Sequence, residues 1–202
     1  MRNGIPGAAA AALAALFLAT GASGQTSATD TATVKAAGEP ASSLSGTDKR
    51  FIEHAMRDGM AEVRMGQLAK DRGLREEVKE FAGRMVNDHA AANDALRSLA
   101  ASKGVALPSE IDQKDQRAMD KLGKALGPDF DRAYMRDMVR DHRKDLAAFR
   151  HEAKHGQDAD VRNFAASKVA TLEEHLRAAR VTRDIVQGTK RTGDRETGST
   201  KP

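Results

Sequence analysis

Glu62, His89, His142 and His175 are the side chains of this sequence best suited to chemistry. Each is an ionisable residue standing where helical spacing calls for an apolar one. Three imidazoles and a carboxylate gathered out of water have three stable arrangements: an ion pair, a neutral hydrogen-bonded layer, or a metal site whose ion supplies the missing charge. As ligands they suit zinc, copper, iron or nickel, whereas calcium and magnesium prefer oxygen throughout. The sequence leaves these arrangements open. It therefore supports three functional readings: a transition-metal-binding protein, a structural or interaction module with a polar core layer, and a peroxide-consuming metal oxidoreductase.

Other residues extend the set. Asp88, Asp141 and Glu174 each precede a histidine directly, so they point elsewhere on their helices and are candidates for orienting a ligand from behind or for the surface. Met85-Val86-Asn87-Asp88-His89 recurs as Met138-Val139-Arg140-Asp141-His142. In both copies Met sits one turn before His, so thioether and imidazole could together hold Cu(I); alternatively Met85 and Met138 fill core gaps. His151-Glu152-Ala153-Lys154-His155 matches the zinc-protease pattern HExxH in letters only. It contains Lys154, ends at Gly156 and has no strand around it, so it reads as a solvated His pair rather than a protease helix. No phosphate loop or nucleophile elbow appears in the strand context it needs.

The elements that must position these residues are long helices. Stripes with steps of three and four run from about Asp48 to Asp71, Leu74 to Lys103, Pro128 to Gly156, and Asp158 to Gln187. Gly73 and Gly104 stop the first two, Pro128 opens the third, and Asp158 caps the fourth. Between the second and third, Ser109 with Asp112 three residues on forms a capping-box pattern for a short crossover helix closing at Gly127. Short links within each pair imply two antiparallel hairpins, and the spacing implies near-parallel packing. The fold class is all-α, an antiparallel four-helix bundle over residues 47–187. Each of the four ionisable residues lies within about three positions, or roughly 4 Å of rise, of its helix centre, so all four should meet in one core layer.

Composition narrows the rest. Aromatic residues make up 3 % of the 202-residue chain and cysteine is absent, which removes disulfides, thiolate zinc sites and iron–sulfur clusters. The net charge of +4 is interleaved along helix faces rather than blocked, so no nucleic-acid partner is expected. Arg2 followed by an apolar run from Ala8 to Ala19 and small residues at 20–24 reads as a signal peptide cleaved near residues 22–24. That run is too short to span a bilayer, so the mature chain should lack a transmembrane segment and lie in a periplasm, with envelope or outer-membrane association open. Residues 25–46 and 188–202 read as disordered linker and tail. The oligomeric state cannot be read from the pattern.

These residues together resemble the exported bacterial domain-of-unknown-function family numbered 4142, often labelled an outer-membrane protein. The resemblance spans about Asp48 to Gln187. It rests on Phe51, Ala55, Gly59, Glu62, Val63, Gly66 and Ala69, on Phe81, Ala82, Met85, Val86, Asp88 and His89, and on Phe130, Asp131, Tyr134, Met138, Val139, Asp141 and His142. Leu172, His175 and Leu176 complete it. The resemblance implies a ferritin-like bundle in the cell envelope and brings no established reaction. Di-iron proteins of that fold place Glu three residues before His, where this chain has Val86, Val139 and Leu172. A ferroxidase of that type is not expected.

Overall fold

The computed structural model describes residues 44–188. The expected signal peptide (1–24), most of the expected linker (25–46) and nearly all of the expected tail (188–202) lie outside the described residues. Five helices are present: α1 Gly46–Arg72, α2 Glu76–Ser102, α3 Gln113–Lys124, α4 Gly127–His155 and α5 Ala159–Val186. The four long ones form an antiparallel four-helix bundle. Among the described residues no helix is long and apolar enough to cross a membrane.

Helix boundaries follow local chemistry. Ser45 caps α1 by accepting from the Asp48 amide at 3.1 Å, so α1 begins earlier than its apolar stripe. Asp158 caps α5 as expected, accepting from Asp160 and Val161 amides. Pro128 sits in the first turn of α4, where it costs no hydrogen bond. The Ser109 capping box does not form: α3 starts at Gln113 with Asp112 before it. Residues 105–112 run without helix because Val105, Leu107 and Ile111 pack onto the core, while Arg57 and Arg64 of α1 hold Asp112 and Glu110 at 3.3 and 3.4 Å. At the other end of α3, Arg72 donates to the carbonyls of Gly123 and Ala125.

Two aspartates reveal how the hairpins are joined. Asp131, early in α4, accepts the amides of Leu74 and Arg75 in the α1–α2 link, both at 3.0 Å. Asp48, early in α1, accepts the amides of Gln157 and Asp158 in the α4–α5 link at 3.0 and 2.8 Å. Each hairpin therefore clamps the turn of the other. The contact also fixes direction: α1 is antiparallel to α4, and Lys103 at the end of α2 reaches Asp158 at the start of α5, so those two are antiparallel as well. With one long crossover from α2 to α4, the order is up-down-down-up, that of a ferritin-like bundle.

The paired clamps expose an internal repeat with a constant shift of 83 positions (131 less 48, 156 less 73). It relates Asp48 to Asp131, Glu62 to Asp145, Gly73 to Gly156, Val78 to Val161, Phe81 to Phe164 and Ala82 to Ala165. The two hairpins are thus pseudo-equivalent halves. The Met-Val-x-Asp-His recurrence is not this repeat, since its shift of 53 (142 less 89) pairs α2 with α4, which belong to different positions in the two halves.

Candidate metal centre

The expected layer forms. Glu62, His142 and His175 are at most 3 % exposed and His89 is 8 % exposed, which puts four polar side chains inside the bundle. One ring nitrogen of each of His89, His142 and His175 lies within 4.8 Å of the other two. The three ring centroids are 5.3 to 5.4 Å apart. Glycine makes room on α1: a Cβ at Gly66 would fall 2.9 Å from Val86 and 3.2 Å from the Ala82 carbonyl, so only glycine lets α1 approach α2 this closely.

Each imidazole has one nitrogen turned to an acceptor. His89 Nδ1 donates to Glu62 Oε2 at 2.7 Å. His142 Nδ1 donates to the Met138 carbonyl at 3.0 Å, one turn back on its own helix. His175 Nε2 donates to Asp88 Oδ2 at 2.8 Å. The nitrogens left over are His89 Nε2, His142 Nε2 and His175 Nδ1, and the last has no hydrogen-bond partner among the described residues. The first two face one another at 3.4 Å. That spacing matches the ~3.3 Å between two nitrogens on one tetrahedral zinc, worked from bond lengths of about 2.0–2.1 Å.

Glu62 stands on the Nδ1 side of His89, behind the ring as seen from Nε2. Its Oε2 accepts from His89, and its charge faces the rings of both His89 and His142. Its second oxygen, Oε1, lies 3.3 Å from His142 Nδ1 without hydrogen-bonding geometry. Burial pushes the Glu62 carboxyl up, but the facing His89 and His142 rings outweigh it and hold it down at about 2. Burial pushes His89 down, and the Glu62 charge more than reverses this. Burial keeps His142 below its ordinary value and brings His175 down to about 4. Without metal, the balance of these effects favours charge on His89 facing Glu62 and disfavours it on His142 and His175.

The flanking acids separate. Asp88 crosses from α2 to orient His175 and is itself held by Arg84 at 3.4 Å. Glu174 is exposed and reaches the site only through Arg84, at 2.8 Å. Asp141 turns outward to Arg140. Met85 and Met138 are fully buried in the larger apolar cluster. His151 and His155 are exposed with ring centroids 4.8 Å apart, while Glu152 between them is buried beside Asp48, which is not how a zinc-protease helix works.

Sequence reasoning missed Asp145 and the space next to it. Asp145 lies one turn after His142 on α4, is 6 % exposed, and makes no hydrogen bond or ion pair among the described residues. Burial and the neighbouring Glu62 and Asp58 charges push its carboxyl well above the usual range. Beside it a cavity of about 320 Å³ extends from Glu62, His89 and His175 to the exposed rim at Arg84 and Glu174. It gives the centre an access path. The spacing of acids on α4 was the available signal for Asp145; nothing signals a cavity made by small residues such as Gly59 and Ala92.

Comparisons with known proteins agree with the fold and add no activity. The crystal structure of a DUF305 fragment from Deinococcus radiodurans is similar, with a TM-score of 0.61 at 13 % identity, covering 72 % of this chain and 98 % of that one. At that identity it speaks to the fold alone. No curated protein matches the chain. The family model described as "Domain of unknown function (DUF4142)" matches residues 19–181, and the chain, with its bundle and its buried three-histidine layer around Glu62, belongs to that family.

Proposed function

We propose that this is an exported, periplasmic protein that binds one transition-metal ion through His89, His142 and His175, with Glu62 and Asp88 holding the rings in place. The observation that carries the reading is the division of labour within each ring. Every imidazole commits one nitrogen to an acceptor, and of the other three nitrogens His89 Nε2 and His142 Nε2 face each other at 3.4 Å while His175 Nδ1 is buried without a hydrogen bond among the described residues. A ligating histidine is set up in this way, because the hydrogen bond behind the ring fixes its tautomer and raises its basicity. Three neutral nitrogens suit zinc, copper, iron or nickel. The cavity leaves room for a water or small anion as a further ligand, and the Glu62 carboxylate offsets the ion's charge. Export rests on the sequence of residues 1–24.

Titration of chelator-treated protein with Zn²⁺ and Cu²⁺ by calorimetry tests this. One ion per chain should bind, with release of a proton from His89, and His89→Ala or His142→Ala should weaken affinity by at least a hundredfold while helix content stays. Retained affinity in both variants rejects the site.

A second reading is favoured by one specific contact, the 2.7 Å pair of Glu62 and His89. There the layer is a metal-free network in which a charged His89 donates to Glu62 and to His142 Nε2, and the protein is an envelope structural module. That reading expects His89→Leu/Glu62→Leu to be about as stable as the parent and to lose no ligand. Either single variant should cost about 3–5 kcal/mol, because a buried charge is left alone. Metal bound by the parent and lost in the double variant decides against it.

A further inference from the structure

The pseudo-equivalence of the two hairpins says what stands where the metal centre would be repeated. A shift of 83 positions carries Glu62 to Asp145, His89 to Leu172, His142 back to Gly59 and His175 back to Ala92. All four of these counterparts line the 320 Å³ cavity. The carboxylate is kept, and the three imidazoles are replaced by a leucine, a hydrogen atom and a methyl group. The counterpart of the centre is a hollow with one acid in it.

What remains in the hollow is chemically specific. Asp145 and Asn93 are each more than nine-tenths buried, line the cavity, and make no hydrogen bond to the protein among the described residues. Asn93 Oδ1 presses against α1 so closely that a Cβ on Gly59 would fall 2.2 Å from it. Both open onto the cavity, so their hydrogen-bonding capacity is left to whatever occupies it. The walls are Phe149, Phe164, Leu96 and Leu172, with the two rings 6.2 Å apart. The lining carries five carboxyl groups against one arginine and one lysine, and Asp145 is the carboxyl without an ion pair. The lysine, Lys168, has no acid partner among the described residues: its ammonium lies 5.7 Å from the centre of the Phe164 ring, so the aromatic wall already stabilises a cation at the rim.

We propose that this cavity binds a small organic ammonium ion, the ammonium donating to Asp145 and Asn93 Oδ1 and the carbon skeleton lying between Phe149, Phe164, Leu96 and Leu172. A metal ion fits less well, since Asp145 does not join two further ligand atoms into a cluster as the three histidines do. An organic anion fits less well at this end, since the lining carries five carboxyl groups against one arginine and one lysine. The volume is at the small end for ligand pockets, which suits a single ring or a short chain with one amine. The inference does not depend on metal at the histidines.

The test uses full-length protein kept in chelator at neutral pH and three probes of equal size: benzylamine, benzyl alcohol and benzoate. Binding is followed by amide chemical shifts, with helix content and unfolding midpoint checked for every variant. Benzylamine should give saturable shifts centred on Asp145, Asn93 and Phe164, at least tenfold tighter than either other probe. Asp145→Asn should weaken it at least tenfold, and Asn93→Ala should weaken it independently of Asp145. Absence of saturable shifts with benzylamine overturns the proposal, as does equal binding of benzyl alcohol or benzoate, or unchanged binding in a folded Asp145→Asn variant. Because the chelator keeps metal out, these failures leave the three-histidine reading untouched.

Discussion

Lowering the pH should destabilise the metal-free protein through His175 in particular. Its ring is 1 % exposed, gives its Nε2 proton to Asp88 and leaves Nδ1 unpartnered. Burial holds it at about 4, against an ordinary value of 6.5. The unfolded chain therefore takes up a proton below about pH 6.5, and the folded chain resists until about 4. The stability this contributes is present above the unfolded value and is lost as pH falls through that window. Across the full window the loss is about 3 kcal/mol, and between about pH 7 and pH 4.5 it is about 2 kcal/mol. His142 shifts in the same direction and His89 in the opposite one, so the parent's total is a sum. His175→Gln isolates the term, since glutamine retains a donor for Asp88 and does not titrate. Urea unfolding in chelator at both pH values should show the parent losing about 2 kcal/mol more than His175→Gln. Equal losses within about 0.5 kcal/mol would refute the reasoning.

Other outcomes follow from single contacts. Asp48→Ala and Asp131→Ala each strip two backbone amides of a charged acceptor and should each cost about 2–4 kcal/mol by chemical denaturation. Gly66→Ala should cost about 1–2 kcal/mol in spite of alanine's better helix propensity, because its methyl meets the Ala82 carbonyl as well as Val86; a neutral or stabilising result would mean that α1 can move off α2 freely. Burial and the adjacent Asp48 raise the Glu152 carboxyl to about 7 from 4.5. The folded chain thus holds a proton the unfolded one has lost, so stability should fall as pH rises between those values, and Glu152→Gln should flatten the fall in a thermal unfolding series.

Much of this architecture is legible in the sequence because helices announce themselves through spacing. Gly73, Pro128 and Asp158 mark ends that the structure keeps, and one ionisable residue in each apolar stripe marks the buried layer. What spacing cannot give is contact between helices. Asp88 looks like a surface neighbour of His89 along its own helix, yet it serves His175 across the α2–α5 interface. The task of Glu62 depends on which ring nitrogen it meets, a matter of rotamers rather than periodicity. Ser109 carried a capping-box pattern, but burying Val105, Leu107 and Ile111 overrode it. Lys168 stands on α5 at the rim of a cavity, a placement that spacing along one helix does not show. The 83-residue repeat is faint in the letters and plain in the paired clamps of Asp48 and Asp131.

The central claim is that three histidines hold a metal ion. The most direct test is the metal content of the protein purified without a tag or chelator, measured by inductively coupled plasma mass spectrometry beside a His89→Ala/His142→Ala variant. Close to one transition-metal ion per chain is expected in the parent and none in the variant. No metal in either, even after anaerobic reconstitution, would contradict it and leave the Glu62–His89 network as the purpose of the layer.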